Sequence, residues 1–300
     1  MRERTMVCGA VAQAVALLWI PACKALAADG CWHVYLDLGS NVGLQVRKLY
    51  ELQQFKNASI QHVFHKYFGQ DQLERRQHVC AIGFEPNPRH HASLKAIQSR
   101  YNELGWRTRF ELVAVGVANS EAKFFFDNST GKYGGQNNHE WGASTVLIPF
   151  IHGAGRASTV TRTIDLPAWV QREILERRLP LTHPAGDPHI VVKLDIEGGE
   201  FAVLPRLLQS GVLCRLTQLH AEIHVDVKRC NLRCRQILEQ APGAAEHPRL
   251  FEEIKRNLTV LGSRCGVKFS RENDESYTKA VVPLPPLMAS EVVEHAESMQ

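Results

Sequence analysis

Apolar positions along the chain recur with two different periods, and these periods predict strands and helices in alternation from residue 32 to about residue 283. Short runs of consecutive apolar residues are typical of buried strands, whereas apolar residues three or four positions apart are typical of amphipathic helices. The alternation predicts an α/β fold: a Rossmann-like, seven-stranded, mostly parallel sheet with helices on both faces.

Five strands of this sheet are predicted from their apolar runs. They are Trp32–Asp37, His78–Glu85, Arg109–Val115, Ile190–Asp195 and Leu216–His224. Two later β-rich runs, Gly266–Arg271 and Tyr277–Val282, predict a closing hairpin. The polar stretch Ser59–Gln77 predicts a helix inserted between the first two strands, and Leu232–Val260 predicts a helical region near the end. The Gly-, Asn- and Ser-rich stretch Asp127–Gly142 is typical of a mobile loop.

The first 27 residues have the pattern of a secretory targeting segment. Two arginines give it a basic start, Met6–Ile20 is almost purely apolar, and Ala25 and Ala27 offer the small side chains that signal peptidase prefers. Because the apolar run is shorter than the roughly 20 residues of a membrane span, we expect a cleaved signal peptide, with an uncleaved signal anchor as the alternative. We therefore divide the chain into a signal segment, one folded domain and a flexible tail, at residues 1–27, 28–284 and 285–300.

Composition narrows the functional classes. Hydrophobic residues make up 44% of the chain and charged residues 22%, which is typical of a globular domain with a substantial core. The formal net charge is +4, and the sequence shows no long stripe of lysines and arginines. This balance argues against nucleic acid as the main partner, since such partners require clustered positive charge.

Sequons and cysteines agree with passage through an oxidising compartment. Three N-x-S/T sequons lie at Asn57, Asn128 and Asn257. With the N-terminal segment they predict a glycoprotein of the secretory pathway, in the ER or Golgi lumen or secreted. Six cysteines follow residue 27, which permits disulfides but leaves their connectivity open. For Cys80, inside a predicted buried strand, we expect a free thiol.

Candidate chemistry concentrates at the carboxyl ends of the predicted strands, where open α/β sheets bind ligands. The first strand runs into the turn DLGSNVG (37–43), whose two glycines let the backbone turn tightly beside a ligand. This turn differs from the G-x-G-x-x-G dinucleotide fingerprint, which weakens the alternative of a nicotinamide-dependent oxidoreductase. Glu85, at the end of the second strand, offers two coplanar acceptor oxygens for the two hydroxyls of a ribose.

A second polar cluster follows the fourth predicted strand. Asp195, Glu197 and Glu200 stand close together, beside Gly198 and Gly199. Acids at the mouth of a buried strand are costly without a partner, so a cationic ligand or substrate hydroxyls would stabilise them. Two alternatives stay open: capping of the next helix, mainly by Glu200, and a Mg²⁺ or Ca²⁺ ion on Asp195 and Glu197.

Together these stretches resemble the FkbM family of methyltransferases. The matching stretches, in order, are VYLDLGSNVG (34–43), GFEPNP (83–88), AVG (114–116), TIDL (163–166), VVKLDIEGGEFAVL (191–204) and QLHAEIH (218–224). The resemblance implies a class I methyltransferase fold with S-adenosyl-L-methionine as cofactor. It also implies O-methylation of a hydroxyl on a sugar, metabolite or glycoconjugate.

The resemblance further implies roles for single residues. The implied cofactor-binding positions are Asp37, Gly39, Ser40, Asn41, Gly43, Glu85, Asn87, Ala114, Val115 and Asp195. The turn residues would line the methionine moiety, Glu85 would hold the ribose hydroxyls with Asn87 beside it, and Ala114 or Val115 would flank the adenine. Asp195 and Glu197 would face the reaction centre.

Methylation of a hydroxyl requires a base to remove its proton. His220, Glu222 and His224 alternate along the fifth predicted strand and therefore share one face. We rank His224 first, while Glu197 or Asp195 could serve instead and His220 could be a core histidine. Two histidines four positions apart on a strand lie roughly 13 Å apart, which argues against a zinc site.

The predicted partner is a small-molecule or glycan acceptor. A membrane is a further partner only if the N-terminal segment remains as an anchor. The alternative function is a secreted binding module that kept the fold and lost catalysis. It predicts a folded protein without turnover, and the fold alone does not separate the two functions.

Overall fold

A computed structural model describes most of the domain: residues 25–127, 140, 142–147, 157–222, 256, 259–260, 266–271 and 283–286. Its main element is a sheet of six parallel strands. In spatial order, with numbers that follow the chain, these are β3 (Thr108–Glu111), β2 (Val79–Phe84), β1 (His33–Leu38), β7 (Ile190–Leu194), β8 (Gln218–Ala221) and β9 (Lys268–Arg271). The predicted parallel α/β sheet is confirmed, with six strands among the described residues where seven are expected.

The strand order reverses at β1. From β1 the chain moves outward to β2 and β3, and it then crosses back to β7 and continues outward to β8 and β9. At such a switch point the connections on the two sides leave in opposite directions, which opens a crevice beyond the carboxyl ends of the strands. A ligand is therefore expected at the turns that follow β1 and β7.

Helices cover both faces of the sheet, as predicted. Those in the described residues are α1 (Leu44–Tyr50), α2 (Leu52–Phe55), α3 (Gln61–Phe68), α4 (Gln72–His78), α5 (His91–Glu103), α6 (Leu166–Val170) and α7 (Glu200–Gln209). A π-helical turn, Gln171–Leu175, continues α6. Alternate residues of β1 divide between the two faces. Tyr35 packs with α1, α3 and α5, whereas Leu36 and Leu38 pack with α6 and α7.

The stretch Ser59–Gln77 forms two helices, α3 and α4, where one is predicted. Gly69 ends α3 with φ +86, and a Cβ at this position would lie 2.5 Å from Glu74 Oε2. Asp71 begins α4, because its side chain accepts a hydrogen bond from Leu73 N at 2.9 Å. A glycine followed by a capping residue thus divides the insertion into two helices.

A second sheet corrects the prediction for Arg109–Val115. One strand is expected there, but the run divides between β3 and β4 (Ala114–Gly116), which belong to different sheets. β4 pairs in parallel with β6 (Ser158–Asp165), which pairs antiparallel with β5 (Ser120–Phe125). Apolar residues continue across the break between β3 and β4, so periodicity alone marks no boundary.

The C-terminal predictions are tested in part. The run Gly266–Arg271 contains β9, which pairs in parallel with β8, whereas its expected partner Tyr277–Val282 lies outside the described residues. Most of Leu232–Val260, most of Asp127–Gly142 and residues 1–24 also lie outside them. Among the helices that the structure describes, none is long and apolar enough to cross a membrane.

A disulfide joins Cys31 to Cys80, with a Cα–Cα distance of 5.7 Å. β1 and β2 pair in parallel from His33 and Val79 onward, so the two cysteines lie side by side at the amino ends of these strands. The expectation of a free Cys80 thiol is wrong, because an apolar run shows that a cysteine is buried but not which residue lies beside it. Cys214 is disulfide-bonded as well.

Replacing both Cys31 and Cys80 by alanine should lower the free energy of unfolding by about 4 kcal/mol, because the disulfide joins residues 49 positions apart and restricts the unfolded chain. Urea unfolding of the oxidised protein and of the double variant measures the difference. The oxidised protein treated with reductant also loses the disulfide of Cys214 and should therefore be at least as unstable as the double variant. A loss below about 1 kcal/mol would contradict the stabilising role of this cross-link.

Candidate active site

Three residues of the turn after β1 have a left-handed backbone: Gly39, Asn41 and Gly43, at φ +85, +50 and +83. Gly39 N and Ser40 N both donate hydrogen bonds to Phe84 O, at 3.1 and 2.9 Å, which fixes the turn to the end of β2. A Cβ on Gly39 would lie 1.8 Å from Asp195 O. The backbone after β1 therefore touches the backbone after β7, and only glycine fits between them.

Glu85 links this turn to the segment that follows β2. Its Oε2 accepts a hydrogen bond from Asn41 N at 2.7 Å, and its Oε1 accepts one from Asn87 N at 2.8 Å. Burial raises the pKa of Glu85 to about 7, although both hydrogen bonds act in the opposite direction. Each carboxylate oxygen has a second acceptor position. The group therefore keeps acceptor capacity on both oxygens while it holds the turn.

Asn87 is a scaffold residue beside Glu85. Its side chain is buried, with Nδ2 donating to Glu140 Oε2 at 2.7 Å and Oδ1 accepting from Arg89 N at 3.0 Å. Arg89 forms an ion pair with the same Glu140 carboxylate. Asn87 thus anchors Glu140 above the end of β2, and its predicted place beside a ribose stays a prediction.

Asp37 lies beneath the turn, where it is fully buried. It is in register with Lys193 on the neighbouring strand β7, and Lys193 Nζ lies 3.7 Å from Asp37 Oδ1. Burial raises the pKa of Asp37 to about 6, and the charge of Lys193 opposes this shift. Solvent does not reach its side chain in this conformation, and its predicted place beside a methionine moiety stays a prediction.

Lys193 lies at the centre of these contacts, and sequence reasoning does not single it out. Its Nζ donates to Gly39 O at 2.9 Å and lies 3.0 Å from Asp195 Oδ2. The side chain is 2% exposed, so this ammonium is held by protein groups. A signal was present in the sequence, because a lysine inside the apolar strand IVVKL requires a buried anionic partner.

The acids after β7 have different roles. Asp195 is half-buried at the rim, beside Gly39 and Lys193. Glu197 has a left-handed backbone, φ +54, and its carbonyl oxygen accepts a hydrogen bond from Ser144 Oγ at 2.7 Å. Glu200 is fully buried, and its two oxygens accept from Ile196 N at 2.9 Å and Gly198 N at 2.8 Å. Glu200 therefore holds the turn before α7 and puts an acid in its first turn, but no described side chain caps the helix by a hydrogen bond.

The base candidates in and just after β8 differ in how deeply they are buried. His220 is in register with Lys193 and buried, and its Nδ1 lies 2.6 Å from Ser270 Oγ on β9. Glu222 is half-buried just beyond the strand, and its N–H donates to Leu194 O at 2.9 Å, which places it beside Asp195. His224 lies outside the described residues. Of the two described candidates, only Glu222 reaches the rim.

A metal ion has no ready-made site in the part of the chain that the structure describes. No group of three or more His, Cys, Asp or Glu side chains is arranged to hold one there. A divalent cation on Asp195 and Glu197, the less favoured alternative, stays untested.

The two residues expected to flank an adenine lie on β4, in the second sheet. Ala114 is buried in the core, whereas Val115 lines a pocket of about 220 Å³ between this sheet and the start of α7. The pocket wall is mostly small and apolar, with Ala118, Gly199 and Ala202 among its residues. An apolar ligand group would fit this chemistry, and the contact of Val115 with adenine stays a prediction.

The sheet reverses at β1 and carries a glycine turn and several acids at its carboxyl edge, which defines a ligand-binding protein of the doubly wound α/β class. A family model described as a methyltransferase FkbM domain matches residues 37–266. The chain therefore belongs to the FkbM family and is a methyltransferase, which confirms the family resemblance. No curated protein and no solved structure gives a match to it.

Proposed function

We propose that this methyltransferase uses S-adenosyl-L-methionine and methylates a hydroxyl oxygen on a sugar, metabolite or glycoconjugate. The observation that carries the proposal is the position of Glu85. Its carboxylate holds the glycine turn through Asn41 N and still has two acceptor positions, which match the two neighbouring hydroxyls of a ribose.

The surrounding residues fit the rest of this cofactor. Gly39 lets the turn after β1 pack directly on the backbone of Asp195, which brings the ends of β1 and β7 together at the proposed site. Asp195, Glu197 and Glu222 follow the adjacent strands β7 and β8, and acids at this edge suit a positively charged ligand. When bound, S-adenosyl-L-methionine supplies an activated methyl group on a positively charged sulfur.

The chain itself would contribute positioning and proton removal. In our proposal Glu222 accepts the proton of the acceptor hydroxyl, because its carboxylate follows β8 at the rim beside Asp195. Asp195, fixed by Lys193 at 3.0 Å, orients that hydroxyl. His224, two residues after Glu222, is the alternative base, and Glu197 is the next.

We place the enzyme in the secretory pathway. The disulfide between Cys31 and Cys80 supports this location, because such bonds persist in oxidising compartments. The sequon at Asn57 lies in an exposed turn between α2 and α3, where it is accessible to glycosylation. In this proposal residues 1–27 are a signal peptide or anchor, and only an anchor would bring a membrane partner.

Titration calorimetry of the disulfide-bonded protein tests the cofactor. We expect micromolar binding of S-adenosyl-L-methionine and of its demethylated product, S-adenosylhomocysteine, and no binding of NAD. Binding of either sulfur ligand would justify a screen of hydroxyl acceptors, with Glu222→Gln expected to retain the cofactor and lose turnover. If the folded protein binds neither ligand, the proposed function fails and a non-catalytic binding module takes its place.

A further inference from the structure

Lys193 connects the two turns that form the candidate site. Its ammonium contacts the carbonyl of Gly39 after β1 and the carboxylate of Asp195 after β7. These are also the two residues whose backbones touch, since a Cβ on Gly39 would meet Asp195 O. One buried cation therefore fixes the closest approach between the strands on either side of the switch point.

The charges around Lys193 explain why a lysine is stable in this strand. A buried ammonium is costly unless it is paired and hydrogen-bonded. Asp195 and Asp37 provide two carboxylates and Gly39 provides a carbonyl acceptor. Glu85 is affected as well, because the charge of Lys193 favours its ionised form.

Asp37 is the group most dependent on this cation. No described residue donates a hydrogen bond of normal geometry to its carboxylate oxygens, although the nearby Ser40 hydroxyl, which donates to the Asp37 carbonyl, also lowers its pKa. The charged groups around it are Lys193 in β7, Asp195 just after β7, Lys48 in α1 and Glu85 after β2. Of the two lysines, Lys193 acts on it more strongly. Asp195 opposes its ionisation. Removal of the Lys193 charge would leave Asp37 as a buried acid with weaker compensation.

We propose that Lys193 is a positioning residue for cofactor binding: it holds Gly39 against Asp195 and supplies the positive charge that Asp37 and Asp195 share. This role rests on the proposed binding of S-adenosyl-L-methionine. Without the ammonium, the Gly39 carbonyl loses the group that donates a hydrogen bond to it. The carboxylates of Asp37 and Asp195 then repel each other without a cation between them. The turn that Glu85 holds from its other side then loses its fixed shape.

The first half of the proposal, that Lys193 shares its charge with Asp37, can be tested without any cofactor. Lys193→Met, Asp37→Asn and the double variant are compared by urea unfolding at neutral pH. Lys193→Met should unfold at lower urea than the natural protein, and the added Asp37→Asn should restore part of that loss, because the uncompensated acid is gone. If Lys193→Met alone does not fold, recovery of a folded protein in the double variant supports the same conclusion. Strictly additive losses would overturn the charge-sharing role.

The positioning part is tested by calorimetry with S-adenosyl-L-methionine on the folded variants. Lys193→Met, in the Asp37→Asn background if needed, should bind at least tenfold more weakly than its matched parent. Arg75→Met removes a fully buried cation whose hydrogen-bond partners, Gly69 O and Gln61 Oε1, lie outside the site, and it should stay within threefold of the natural protein. Unchanged affinity of the Lys193 variant, or an equal loss in Arg75→Met, would overturn the positioning role.

The two experiments separate failure of this role from failure of the proposed function. If the natural protein binds no sulfur ligand, both the cofactor assignment and the positioning role of Lys193 are wrong. The urea comparison still decides whether Lys193 and Asp37 share charge. If the natural protein binds and the Lys193 variant binds equally well, only the role of Lys193 is wrong.

Discussion

Replacement of Gly39 by alanine should cost about 4 kcal/mol or more of unfolding free energy, and we expect little folded protein. Two effects combine at this position. The backbone has φ +85, which is unfavourable for a residue with a Cβ, and the new Cβ would lie 1.8 Å from Asp195 O. To relieve this overlap the turns after β1 and β7 must separate, which breaks the bond from Lys193 Nζ to Gly39 O.

Gly211 provides a matched control for this experiment. Its φ is +74, close to that of Gly39, but a Cβ there would meet no atom within 4 Å. Gly211→Ala should therefore cost only the backbone term of about 1–2 kcal/mol. Circular dichroism and urea unfolding compare the two variants. Equal losses would show that the approach of Gly39 to Asp195 does not limit the fold.

Replacement of Glu85 by glutamine should weaken binding of S-adenosyl-L-methionine by tenfold or more, about 1.4 kcal/mol. The charged acceptor for the ribose hydroxyls is lost. A glutamine amide also has only one acceptor oxygen, so it satisfies only one of the two backbone donors, Asn41 N and Asn87 N, that Glu85 holds. Calorimetry with the folded variant measures the loss, and Glu121→Gln on the exposed side of β5 is the control.

The pKa of Glu85 adds a pH dependence to this result. Burial raises that pKa to about 7 from an ordinary 4.5, so the folded protein takes up a proton at Glu85 as the pH falls through neutrality. Affinity for the cofactor should therefore weaken from about pH 8 to about pH 6 in the natural protein, and Glu85→Gln should lack this component. A wild-type affinity that is flat over this range would contradict the assignment of Glu85 to the ribose.

Local signals account for the part of the site that the sequence predicts. Gly39, Gly43 and Glu85 follow apolar strands at positions where an α/β sheet binds ligands, so their placement requires only the strand pattern and the switch-point rule. The same reasoning identifies the carboxyl end of β7, with Asp195 and Glu197. These predictions depend on residues near one another in the chain.

Features that depend on contacts between strands could not be predicted from the pattern of apolar and polar residues. The importance of Lys193 becomes visible only when β1 and β7 are neighbours in register and bring it beside Asp37. The partner of Cys80 likewise depends on the register of β1 against β2. His220 alternates with Glu222 on one strand, but its depth is set by β9, where Ser270 meets it.

The position of β1 at the centre of the sheet has a consequence for synthesis of the chain. β2 and β3 are made soon after β1 and extend the sheet on one side of it. β7 pairs with its other side and is made only after all three strands of the second sheet, β4, β5 and β6. During that interval β1 presents unpaired backbone groups, and open edges of this kind pair with foreign strands. A ribosome-bound fragment that ends before residue 190 would therefore be the species most prone to misassembly.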